Sequence, residues 1–150
     1  QRTRWQRLTI MLQKELAERA VAGGPGEPGW SRFSAQIARL CTVHWALDVP
    51  PEAFTPAPRV DSAVVCFTPR DRVEEVESAA FTRCLTTVFG TRRKTLKNNL
   101  KPLFRGEEAE LLACLRGLGI DPGCRGETLE LAQLAALARA LAPRRPTARR

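Results

Sequence analysis

The chain has 150 residues, of which 43% are hydrophobic and 27% charged, an ordinary balance for a globular protein with a core of its own. Twenty-four Lys+Arg against 16 Asp+Glu give a formal charge of +8, and most of these cations are arginines. This points to an anionic partner, nucleic acid ahead of anionic lipid. No run approaches the ~20 apolar residues of a membrane-spanning helix. One histidine, His44, and five cysteines without CxxC spacing argue against a His-based triad or a zinc site. The thiols are therefore expected to be reduced and mostly buried, with no metal.

Taken in order, the chain begins Gln1-Arg2-Thr3, without an initiator Met, which suggests an excerpt of a longer protein. Leu8 to Leu12 is a short apolar run that predicts a buried strand. Gln13 to Ala22 predicts a helix, with Leu16, Ala20 and Val21 on one side. The glycine cluster Gly23-Gly24-Pro25-Gly26 follows a helix, the wrong context for a phosphate-cradling loop, and reads as a connector. Ser31 or Ser34 can cap a second helix running to about Leu40. Thr42 to Val49 predicts a strand with Val43, Trp45, Leu47 and Val49 on one face; His44, on the other, is given a structural role.

Pro50, Pro51, Pro56 and Pro58 stiffen the next stretch, which is expected to run extended from Pro50 to Arg59 around Phe54. Val60 to Phe67 then predicts a strand apolar on both faces, and hence a sheet covered on both sides. Pro69 to Arg72 is a polar break. Beyond it the pattern is helical. Ser78 caps a helix with Phe81, Leu85, Val88 and Phe89 in a stripe; Thr91 caps one carrying Leu96, Leu100, Leu103 and Phe104. Glu107 to Arg116 and Leu131 to Leu141 supply two more. Pro143 to Arg150 reads as a basic disordered tail.

Two groups of residues are candidates for chemistry. Arg92, Arg93 and Lys94 fall in what reads as the first turn of a helix, where cations oppose the dipole unless an anion offsets them. On a helical wheel Lys94, Lys97, Asn98 and Lys101 share the face opposite the leucines, which suggests a phosphate-gripping surface rather than a merely solvated one. Phe54, braced by prolines, fits either a platform for an extruded base or a plug anchoring its loop, and Arg59 beside it can reach a phosphate.

The segments "LTIMLQKELAERAVAGGPGEPGWSRFSAQIARLC", "FTPAPRVDSAVV", "FGTRRKTLKNNLKPLF" and "GIDPGCRGETLELAQLAALARAL" resemble, in this order, the second half of the small-subunit ribosomal RNA adenine N6-dimethyltransferases. The resemblance implies an α/β followed by all-α fold. Residues 1–70 would be the C-terminal portion of a Rossmann-like methyltransferase sheet, 71–142 a helical rRNA-binding domain, and 143–150 the tail. It implies dimethylation of two adjacent adenines with S-adenosylmethionine as donor. Phe54 would lie at the target-adenine pocket and Arg92-Arg93-Lys94 in the RNA-holding motif. The family's glycine-rich cofactor loop and its Asn-Leu-Pro-Tyr-type motif are not found here and are expected upstream of Gln1, so that this stretch alone would be catalytically incomplete. Glu130 stands where the family usually carries Ser or Thr, which suggests a loose start to the last helix unless Thr128 substitutes. The implied partner is small-subunit rRNA in a pre-30S-type particle. The enzyme is expected to be monomeric and cytoplasmic, with an organelle as the alternative setting. Two other readings are a non-catalytic relative resembling mitochondrial transcription factor B and a DNA-reading helix-turn-helix that would use Asn98 and Asn99.

Overall fold

A computed structural model describes residues 5–71, 76–105 and 107–142. The chain divides into two compact units, Gln1–Val73 and Glu74–Arg150. Arg72 of the expected break and the tail from residue 143 lie outside the described residues.

The first unit holds β1 (Leu8–Gln13), α1 (Lys14–Val21), α2 (Arg32–Leu40), β2 (Cys41–Val49) and β3 (Ser62–Pro69). The sheet order is β1-β3-β2, with both neighbours antiparallel to β3. β1 and β2 therefore point the same way, and their carboxyl ends lie at one end of the sheet. Ala63, Val65 and Phe67 of β3 are buried with Ala17 and Ala20 of α1, and Ile10, Leu12, Ile37, Val43 and Trp45 pack around them. Alanines on the inner face of α1 let the helix axis approach the sheet closely while burying little side-chain entropy. At the start of α2 the Ser31 hydroxyl accepts from the Ser34 N–H at 3.4 Å, and the buried Ser34 hydroxyl donates to Gly29 O at 2.8 Å.

Three expectations for this unit are corrected. Among its described residues, helices cover one face of the sheet only. On the other face Met11 and Leu47 are 50% and 51% exposed, and His44 is exposed there too, not buried as a structural residue would be. The register of β2 slips between Trp45 and Leu47, where Trp45 opposes Val65 but Leu47 opposes Val64. One residue added to a period-two pattern reverses every side chain beyond it. Val43 and Trp45 thus face the helices, Leu47 and Val49 do not, and Asp48 turns to the helix side. Finally, β3 begins at Ser62, leaving Val60 in the loop and 46% exposed.

The second unit holds α3 (Ser78–Val88), α4 (Leu96–Leu100), α5 (Glu108–Gly117) and α6 (Leu131–Leu141), with a 3-10 turn at Lys101–Phe104. Its core takes Phe81, Leu85, Val88, Leu96, Leu100 and Phe104 from the predicted stripes and leaves Phe89 and Leu103 half-buried. Phe81, Leu85, Leu96, Leu100, Leu115, Leu134 and Leu137 are all 0% exposed. Pro102 ends α4 early, as a missing N–H requires. Ser78 is the first residue of α3 rather than its cap, and Glu77, which precedes it, makes no side-chain capping bond. At α6 the expected looseness is absent. The Glu130 side chain accepts from the N–H of Gln133, whose Oε1 accepts from the Glu130 N–H at 3.1 Å. A reciprocal carboxylate–amide box thus replaces the hydroxyl cap. Thr128 does not substitute; its hydroxyl donates to Arg125 O at 2.8 Å.

Candidate nucleic-acid interface

Phe54 and Arg59 sit in the arch joining β2 to β3, at the carboxyl ends of β1 and β2. Open α/β sheets bind ligands beyond these ends, since loops there can vary without disturbing the core. The arch is not extended throughout. Pro51–Ala53 forms a 3-10 turn in which the N–H groups of Ala53 and Phe54 donate to Pro50 O and Pro51 O, each at 3.1 Å. The Thr55–Pro56 peptide is cis. Phe54 is half-buried and Arg59 exposed. Both feet of the arch are fastened to the first residue of α1. Lys14 Nζ lies 2.9 Å from Asp48 Oδ1, and the Lys14 N–H donates to Asp61 O at 2.9 Å. The bulge in β2 aims Asp48 at that lysine. The hydrogen bond and charge of Asp48 raise the Lys14 pKa above its ordinary 10.5. Nothing in the sequence pairs Lys14 with Asp48; the reversal of face at the bulge creates the contact.

The remaining candidates lie together on Arg92–Lys101, in a geometry unlike a helical wheel. Thr91 does not cap a helix, and α4 begins only at Leu96, with Thr95 at its N-cap. Arg92 and Arg93 instead occupy the corners of a turn closed by the Lys94 N–H donating to Thr91 O at 3.0 Å. Arg92, Arg93, Lys94, Asn98 and Lys101 are exposed. Lys97 is half-buried, its Nζ 3.0 Å from Glu108 Oε1 at the start of α5. That lysine holds the Glu108 carboxyl below its ordinary 4.5, chiefly by the hydrogen bond and then by its charge.

Two amides at the start of α4 are already engaged. The Leu96 N–H donates to Cys124 O at 2.7 Å and the Lys97 N–H to Pro122 O at 3.1 Å. Asn99, beside the singled-out Asn98, is the residue that ties this segment to α3, through bonds to Val88 O and Thr91 O. Its only sequence signal is the adjacent Asn pair.

The family model described as ribosomal RNA adenine dimethylase matches residues 1–142. The chain belongs to that family. Relatives named ribosomal RNA small subunit methyltransferase A are 43% identical over 137 residues in Thiobacillus denitrificans and 41% over 139 residues in Escherichia coli. These alignments cover 90% and 91% of this chain but 51% and 48% of the relatives, so the chain spans about half their length. A dimethyladenosine transferase from Plasmodium falciparum superposes with a TM-score of 0.82 at 22% identity, over 95% of this chain and 59% of that one. The 23S rRNA methyltransferase ErmE gives 0.57 at 22% identity, over 91% and 55%. These two likenesses show the methyltransferase fold, here as a small sheet with helices.

β1 passes into α1 without an intervening loop. The glycine-rich turn after α1 is occupied by its own carboxylate, Glu27 Oε2 accepting from the Gly23 N–H at 3.0 Å. Among the described residues no three His, Cys, Asp or Glu side chains are grouped to hold a metal ion, and no helix is long and apolar enough to cross a membrane. No disulfide joins the described cysteines; burial pushes the Cys84 thiol up to about 12.

Proposed function

We propose that this chain is the C-terminal portion of an S-adenosylmethionine-dependent enzyme that dimethylates N6 of two adjacent adenines in small-subunit rRNA during ribosome biogenesis. The arch carries the reading. A half-buried phenylalanine stands between prolines at the carboxyl ends of two parallel-pointing strands, in a loop fastened at both feet to Lys14. A ring so held loses little entropy on stacking against a base, and the base must leave its helix for its exocyclic amine to react. Arg59 would steady the phosphate beside it. The turn and helix from Arg92 to Lys101 would hold the folded rRNA through Arg92, Arg93, Lys94, Lys97, Asn98 and Lys101, with residues 71–142 acting as the rRNA-binding domain. The rest of the enzyme would bind the methyl donor, the substrate would be a pre-30S-type particle, and the monomeric enzyme would work in the cytoplasm.

The test is methylation of small-subunit rRNA by the full-length enzyme carrying Phe54→Ala or Phe54→Leu. Loss of a base–ring stack costs about 1–3 kcal/mol, so turnover should fall by about ten- to a hundredfold while RNA affinity set by the helical segment is kept. Phe54→Leu, which still plugs the loop, should be nearly as slow. A Phe54→Ala enzyme that methylates at the wild-type rate would overturn the reading.

A further inference from the structure

Asn99 holds two carbonyls at once. Its Nδ2 donates to Val88 O at 3.1 Å and to Thr91 O at 3.2 Å. Both partners are acceptors, so only the amide NH2 can face them. Val88 is the last residue of α3, and its carbonyl is among those a helix end leaves without an intrahelical donor. Thr91 O also closes the turn of Arg92 and Arg93 by accepting from the Lys94 N–H at 3.0 Å. The turn therefore hangs between two fixed points, the end of α3 and the side chain of α4's fourth residue. α4 is itself fixed where Leu96 N–H and Lys97 N–H meet the carbonyls of Cys124 and Pro122. The side chains of Arg92, Arg93 and Lys94 are exposed. Without Asn99 the turn would keep its charges and lose its direction.

We propose that Asn99 is a positioning residue for RNA binding, which sets the turn bearing Arg92 and Arg93 and touches no phosphate itself. This rests on the reading of that turn as an rRNA contact. The experiment is a double-mutant cycle in the full-length protein, with purified small-subunit rRNA as probe and thermal melting to show that each variant is folded at the assay temperature. The variants are Asn99→Leu, which keeps the volume and removes the donor; Asn99→Gln, which keeps a donor; Arg92→Ala with Arg93→Ala; and the combination. Expected are an affinity loss of about five- to tenfold for Asn99→Leu, part of it recovered in Asn99→Gln, and no further loss when Asn99→Leu is added to the arginine-less protein. Amide exchange of Arg92 to Thr95 should quicken in Asn99→Leu while that of Leu115 and Leu134 stays slow. A purely structural asparagine would lower the melting temperature and leave the affinity of the folded protein alone. Equal losses from Asn99→Leu in both backgrounds, or none in either, would overturn the proposal. If the arginine pair itself proves silent, the rRNA reading of the turn falls, and the positioning role falls with it.

Discussion

On the proposed reading of Arg92–Lys101 as an rRNA contact, Glu108→Gln is predicted to tighten RNA binding and make it more salt-sensitive. Lys97 Nζ and Glu108 Oε1 are 3.0 Å apart, with side chains 37% and 47% exposed. The carboxyl pKa lies below its ordinary 4.5, held down by the Lys97 hydrogen bond first, then by the charges of Lys97 and, after a small opposing desolvation, Lys101. A depressed carboxylate contributes its share of stability above its unfolded value and loses it only as the pH falls through the folded one. The pair is therefore intact in any neutral binding buffer, and Lys97 would meet the proposed RNA already neutralised. Each phosphate contact adds about 0.7–0.9 to the slope of log affinity against log salt, or about threefold in affinity over a fourfold change in salt. Freeing Lys97 should steepen the slope by up to about one contact and tighten binding at low salt by a similar factor. Lys94→Gln should remove about a full contact, and Lys97→Gln distinctly less. The assay is equilibrium binding of the full-length protein to small-subunit rRNA at several salt concentrations. Equal slope changes for Lys94→Gln and Lys97→Gln, with Glu108→Gln like wild type, would refute the argument.

Glu130→Ala removes one half of the capping box and should cost about 1 kcal/mol. In a helical unit of this size that corresponds to a fall of about 4–8 °C in Tm by calorimetry, provided the unit melts as one step; an unchanged Tm would mean the box contributes nothing. Cys84, its thiol raised to about 12 by burial, should resist alkylation in the native protein while the partly exposed Cys41 and Cys66 react. Because the folded value lies above the unfolded one, stability from this group is fully present below about pH 9 and falls as the pH climbs toward 12. Denaturant midpoints across that range should show the fall in wild type and a smaller one in Cys84→Ala. Lys14→Met releases Asp48, so residues 50–61 should be cleaved sooner by limited proteolysis and exchange faster, whereas β1 and β3 should keep their protection. Identical cleavage of both proteins would show that the arch does not depend on this anchor.

Local pattern was enough for the element order, most of the apolar stripes of the helical unit and the position of the arch around Phe54, though not the 3-10 turn within it. Helical and strand periodicities are properties of neighbouring residues, and Phe81, Leu85, Leu96 and Leu100 went to the core where their spacing put them. Motif order likewise marked the family. What pattern could not supply was every feature that joins residues far apart in the chain. The bulge after Trp45 depends on how β2 meets β3, and it reversed the faces of Leu47 and Asp48 and delivered a carboxylate to Lys14. The carbonyls of Pro122 and Cys124 reached the amides of Leu96 and Lys97 at the start of α4, and the basic residues fell in a turn before that helix. Glu108 found Lys97, and Asn99 rather than Asn98 found the end of α3. Periodicity records which side of an element is apolar; it holds no information about which distant donor meets which acceptor. In this chain those distant pairings decide how the phenylalanine and the arginines are held.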